Sequence, residues 1–176
     1  IDELHSALDP KAYRKAVALL AESEFIDIFG VENSLTPAMD LFTKLGYLGL
    51  TCRLNTDAYL QQIGAGHLPH GAVAVAFSHS GSSADTVKAL RLAKSHGAKT
   101  IAITNAIGAP LTSWADVTLL TSRDSHTIYG NAIFSRVADT ALVDMLYMGV
   151  ILSDYGRFST ALDESGRMIR DRVFEN

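Results

Sequence analysis

The chain has 176 residues, 48% hydrophobic and 19% charged, with a mean hydropathy of +0.15, which fits one globular domain with a substantial core. A net charge of −4 and a pI near 5.8 remove any bulk attraction to nucleic acid or anionic lipid. Apolar runs stop well short of the ~20 residues of a membrane span, no basic leader opens the chain, and a single cysteine, Cys52, excludes an internal disulfide. A cytoplasmic protein without membrane contact is expected.

The first segment reads as helix from its opening residues. With Ile1 in place of a Met, it is expected to be part of a longer protein. In "LDPKAYRKAVALLAES", Asp9 is placed to cap a helix, Pro10 suits its first position, and Tyr13, Ala16, Val17 and Leu20 share a face. "FIDIFG" reads as a buried strand entering the loop "GVENS". A helix follows in "TPAMDLFTKLGYLG", with Thr36 before Pro37 at its start, and "LTCRLN" is a short second strand. "TDAYLQQIGAG" fits a helix capped by Thr56, and "HLPHG" turns the chain into the strand "AVAVAF". Beyond a serine-rich loop comes a helix whose Ala84, Val87, Leu90 and Ala93 share a face, with Asp85 near its start and Lys94 near its end, as the helix dipole favours. "TIAIT" and "VTLLT" are the last strands, and Pro110 opens a helical turn between them. A long helix from about Asn131 to Tyr155 and another after Arg157 close the chain.

Continuous apolar strands alternating with helices imply a parallel sheet covered on both faces. The expected fold is α/β: a three-layer α/β/α domain with a five-stranded parallel sheet in flavodoxin-like order. Ligands of such sheets bind beyond the carboxyl ends of the strands. Both "GVENS" and "SHSGSS" lie at such ends.

In "AVAFSHSGSSADTVKAL", Ser78, Ser80, Ser82 and Ser83 supply hydroxyls and Gly81 permits a tight turn. The helix that follows begins with unpaired N–H groups and a partial positive charge. Those are the parts of an anion cradle. The lysine of a nucleotide-triphosphate loop is missing, so a phosphate monoester is the better match. The plainer alternative is that Ser82 or Ser83 caps the helix, but one cap needs only one serine.

"SHSGSSADTV" resembles the signature loop of the sugar isomerase (SIS) domain, in which Ser-x-Ser-Gly-x-Ser/Thr grips the phosphate of a phosphosugar. "GVENS" looks like that family's first loop, "KSHGAKTIAITN" like its next helix and strand, and "APLTSWADVTLL" like its Pro-Leu-x-x-x-Ala-Asp segment. The resemblance implies phosphate contacts on Ser34, Ser78, Ser80, Gly81, Ser82 and Ser83, Ser83 standing where Thr is usual. For the sugar end it points to Glu32, Asn33 and His79. No cofactor and no metal is expected: His67 and His70 lie three apart in a Pro-containing turn without further ligands.

An aldose-ketose isomerase must move a proton between two carbons, which calls for a positioned base and often a histidine to open the ring. SIS isomerases carry a Glu early in the helix after the fifth strand, where "YGNAIFSRVADTAL" offers Ser135 and Arg136 instead. Glu32, His79, Asp124 and His126 are the remaining acid-base candidates. "NAIFSRVADTALVDMLYMGVI" resembles instead the Ser-Arg helix in the effector domains of RpiR-type transcriptional regulators, which join an N-terminal helix-turn-helix domain to a C-terminal SIS domain. That resemblance implies a single SIS domain over 1–176, no catalysis, a phosphorylated sugar as effector, and DNA binding only through a helix-turn-helix domain outside this sequence. It also implies a homodimer or larger assembly, for which Leu142, Val143, Met145, Leu146, Met148, Val150, Ile151 and Leu152 offer an apolar surface. A stand-alone phosphosugar isomerase is the alternative, and a bare binding module or enzyme subunit a third.

Overall fold

A computed structural model describes residues 2–122 and 136–170. The order is α1 (Asp2–Ala7), α2 (Pro10–Glu22), β1 (Ile26–Phe29), α3 (Leu35–Tyr47), β2 (Cys52–Leu54), α4 (Ala58–Ala65), β3 (Val73–Phe77), α5 (Ala84–Ser95), β4 (Lys99–Thr104), β5 (Val117–Leu120), α6 (Val137–Ser153) and α7 (Tyr155–Met168), with 3-10 turns at Glu32–Ser34 and Pro110–Trp114. The strands form one parallel sheet in the order β2-β1-β3-β4-β5, the flavodoxin-like arrangement expected. β3 therefore lies at the centre, and its carboxyl end opens directly into the serine loop.

The two faces of the sheet are packed differently. Ile26, Ile28, Val73, Val75, Phe77, Ile101, Ile103, Val117 and Leu119 form one core with Leu20 of α2, Leu41 and Leu45 of α3 and Leu142, Val143, Leu146 and Val150 of α6. On the other face Phe29, Ala72, Ala74, Ala76 and Ala102 meet Ala65 of α4 and Ala89, Leu90 and Ala93 of α5. The strict alternation in "VAVAF" sends large side chains one way and methyl groups the other, because successive strand residues face opposite sides.

Helix boundaries follow from local chemistry. Asp9 caps α2 as expected, its carboxylate accepting from the Lys11 N–H at 3.0 Å. For α4 the cap is Asp57 rather than Thr56: its carboxylate accepts from Leu60 N–H at 2.9 Å, and a charged acceptor gains more there than a hydroxyl. α3 begins at Leu35, ahead of the expected Thr36–Pro37, because the 3-10 turn at Glu32–Ser34 runs straight into it. Pro37 is tolerated in the first turn, where backbone N–H groups lack helical partners anyway. α7 starts at Tyr155 instead of after Arg157, since Asp154 accepts from Arg157 N–H at 3.1 Å and caps it at once. The part of the expected long helix before residue 136 lies outside the described residues.

Of the apolar residues expected on a C-terminal surface, Leu142, Val143, Leu146, Val150 and Ile151 are buried in the core of this chain. Only Met145, Met148 and Leu152 remain exposed. α2 lies close against α6 at Gly149, where a Cβ would fall 2.4 Å from the Tyr13 hydroxyl; that hydroxyl donates to the Met145 carbonyl at 2.6 Å. No described helix is long and apolar enough to cross a membrane.

Candidate functional site

The carboxyl ends of β1 and β3 deliver two loops to one cleft of about 500 Å³, lined by Val31, Glu32, Asn33, Ser34, Ser78, His79, Ser80, Ser82, Ser83, Asp85 and Arg136. Eight of the nine ligand-contact candidates read from the sequence thus converge on one space. Gly81 stands apart. It has φ +62, its carbonyl accepts from Leu111 N–H at 2.9 Å, and a Cβ there would lie 2.5 Å from Ala109 Cβ. Its part is to bend the loop against the turn before Pro110, behind the cleft.

The serines are not employed as helix caps. Ser83 is the N-cap residue of α5 by position, but its side chain makes no capping bond; its hydroxyl oxygen instead accepts from Thr86 at 3.4 Å. Ser80 Oγ accepts from Ser82 N–H, and Ser82 Oγ donates to the Ser80 carbonyl, both at 3.3 Å, which keeps the turn compact. Ser78 is buried, and its carbonyl takes the Gly81 N–H at 3.0 Å. Hydroxyls and the start of α5 therefore border the same space, as anion binding requires.

His79 is fixed from β4. Its carbonyl accepts from Thr104 Oγ1 at 3.0 Å and from Asn105 N–H at 3.2 Å, while Asn105 Nδ2 lies 2.9 Å from the imidazole Nε2. Burial, with the Arg136 charge adding to it, lowers the His79 pKa to about 4. The ring is then neutral at pH 7, and Asn105 donates to Nε2. A histidine in this state hydrogen-bonds well but is a weak proton acceptor.

Arg136, Asp85 and Val31 also line the cleft. From the sequence, Arg136 stands out only through the resemblance to the Ser-Arg helix, with no ligand role attached. A signal was available: an Arg at the start of a helix following the fifth strand stands at the same carboxyl edge of the sheet. Its Nη1 lies 3.6 Å from Asp139 Oδ2. Burial raises the pKa of Asp139, opposed by a hydrogen bond with Thr121 and by the Arg136 charge. Among the described residues, the site therefore brings one cation, Arg136, close to a cradle of hydroxyls. Glu32 occupies the lip with φ +51, a left-handed conformation that costs a non-glycine residue about 1 kcal/mol and that clusters at binding sites.

Asp124 and His126, the other acid-base candidates, lie outside the described residues. Cys52 has its thiol pKa pushed up to about 12 by burial, which keeps it protonated and inert. Among the described residues no cluster of three metal-ligating side chains occurs.

Comparison with known proteins agrees with this fold. The family model of the SIS domain matches residues 19–149. An uncharacterized HTH-type transcriptional regulator of Caldanaerobacter subterraneus subsp. tengcongensis is 30% identical over 176 residues, covering 100% of this chain and 62% of the relative. The chain spans about half to three-fifths of the length of curated relatives it matches. Among solved structures, the Vibrio vulnificus NanR protein complexed with ManNAc-6P superposes with a TM-score of 0.90 at 25% identity, over 99% of this chain and 67% of that one. The sugar isomerase domain of the RpiR transcription factor from Sphaerobacter thermophilus shares the fold, with a TM-score of 0.84 at 23% identity over 94% of this chain and 91% of that one. A serine loop at the end of the central strand, the 2-1-3-4-5 sheet and a family match over most of the chain lead to one assignment: this chain belongs to the SIS domain family.

Proposed function

We propose that the chain is the phosphosugar-sensing domain of a transcriptional regulator, which binds its ligand without converting it and controls DNA binding by a separate helix-turn-helix domain. The observation that carries the reading is the convergence of uncapped serine hydroxyls, the start of α5 and Arg136 on a single cleft. Ser34, Ser78, Ser80, Ser82 and Ser83 would hold the phosphate, with Arg136 balancing its charge. Glu32, Asn33 and His79 would meet sugar hydroxyls. The relatives named as HTH-type regulators, and NanR with its ManNAc-6P, support the same reading. Such a protein would work in the cytoplasm, where sugar phosphates and DNA are both found. Exposed Met145, Met148 and Leu152 on α6 would join copies into a homodimer or larger assembly, which sedimentation analysis can check.

Isomerisation is the competing reading because Glu32 and His79 share the cleft. The low basicity of His79 favours binding over proton transfer. A thermal-shift panel of sugar phosphates, ManNAc-6P among them, with the unphosphorylated sugars as controls, decides. Ligand at ~100 times its Kd adds about 2.7 kcal/mol of stability. A phosphate-dependent hit recovered unchanged fits a sensor, and a hit converted to its aldose or ketose partner replaces that reading with an isomerase.

A further inference from the structure

The two loops of the cleft come from different strands. Both are held by neighbouring residues of α4. Gln61 is buried, and its side-chain amide makes a two-way pair with the Gly30 peptide: Nε2 donates to the Gly30 carbonyl at 2.7 Å, and Oε1 accepts from Gly30 N–H at 3.2 Å. The same Nε2 donates to the Asn55 carbonyl at 2.8 Å, tying the end of β2 to this point. Gly30 immediately precedes the cleft residues Val31 to Ser34. Gln62 is also buried, and its Nε2 donates to Asp85 Oδ1 at 3.1 Å, in the first turn of α5 beside the serine loop.

Consecutive helix residues point about 100° apart around the axis. Adjacent glutamines on one helix can therefore reach back to β1 and across to α5 at once. Their chemistry is suited to the task. An amide offers a donor and an acceptor to match one peptide, which an aliphatic residue cannot do, and a neutral donor can hold Asp85 without bringing a further charge near an anion site.

We infer that Gln61 and Gln62 form a clasp in which α4 sets the separation of the two ligand loops and makes them move together. They are positioning residues, which touch the loops and not the ligand. The clasp itself stands on hydrogen bonds within the chain; its effect on affinity rests on the phosphosugar reading above. Ligand drawing one loop inward would load the other through α4, so the serine cradle and the Glu32 loop would close as a unit.

Amide hydrogen exchange of the ligand-free chain tests the clasp without any knowledge of the sugar. Gln62→Leu removes the bond to Asp85, and faster exchange is expected both at residues 80–86 and at residues 30–35, by about tenfold or more, the equivalent of one lost hydrogen bond. Asp85→Asn keeps an acceptor for Gln62 and should leave both segments as in the parent. Gln61→Leu should loosen the same two segments, and Gln62→Leu serves as the milder variant should Gln61→Leu not fold. Loosening confined to residues 80–86 in Gln62→Leu, or no loosening at all, overturns the clasp. Inorganic phosphate separates the two ideas: phosphate that slows exchange at the serine loop of the parent supports the anion cradle. An effect of Gln62→Leu on both loops with no response to phosphate would uphold the clasp and count against the cradle.

Discussion

The two faces of the sheet divide the work of this domain. One is covered by α2, α3 and α6 and filled with Ile, Val, Leu and Phe, and it holds the larger apolar core. The other is lined by alanines and carries a series of polar contacts at buried side chains: Asp27 with Arg53 at 2.6 Å, Thr104 with the His79 carbonyl, Gln61 with Gly30 and Gln62 with Asp85. Burial raises the Asp27 pKa, and the bidentate Arg53 partner opposes that rise. At the far end of this face, burial would raise Asp116 too, but hydrogen bonds from Lys94 and Thr100 outweigh it and hold the carboxyl below its usual range. Large apolar groups give free energy without direction; small groups let α5 approach the sheet while hydrogen bonds fix where its first turn ends up. The first face stabilises the domain and the second positions the loops of the cleft.

Substitutions on each face can break that division. Ile101→Ala opens a cavity in the larger core and is expected to lower stability by about 2–5 kcal/mol in urea denaturation, while calorimetry finds the ligand affinity of the folded protein little changed. Ala74→Leu should cost less, about 1–3 kcal/mol from overpacking against α5, yet lower sugar-phosphate affinity more than tenfold by displacing the serine loop. If affinity survives Ala74→Leu and fails in Ile101→Ala, the two faces do not have separate roles.

The serines sharpen the same contrast. Ser80→Ala combined with Ser83→Ala should cost stability about 1–2 kcal/mol, from the bonds these hydroxyls accept from Ser82 N–H and Thr86, and no more, since neither side chain caps α5. Sugar-phosphate affinity should nevertheless fall more than tenfold, on the order of 1.5 kcal/mol for each charge-assisted bond. His79 supplies the pH-dependent test. Its folded pKa of about 4 lies below the ordinary 6.5, so between those values the unfolded chain binds a proton that the folded chain refuses. The stability contribution is complete above about pH 6.5 and is lost as pH falls toward 4. His79→Gln should flatten that slope in melting temperatures taken from pH 7 to pH 4.5; an unaltered slope would mean that other groups carry it.

Much of this was legible in the chain itself. Five apolar runs alternating with helical patterns imply the parallel sheet and its covered faces because strand burial and helix periodicity are local properties. The serine loop reads as an anion cradle because hydroxyls, a turn glycine and a helix start are contiguous in sequence. Tertiary structure decided what depends on distant partners. Arg136 reaches the cleft only because the chain returns to the same sheet edge, and Gly81 lies against Ala109 rather than lining the cleft because the turn before Pro110 packs against it. The apolar stretch of α6 could not reveal from composition which side meets α2 and α3, so Leu142 and Leu146 are core while Met148 is surface. Gln61 and Gln62 read as two ordinary polar residues of a short helix; only the packing of α4 between β1 and α5 gives their amides partners thirty-one and twenty-three residues away. Periodicity is written in neighbours along the chain, and pairing is written in neighbours across space.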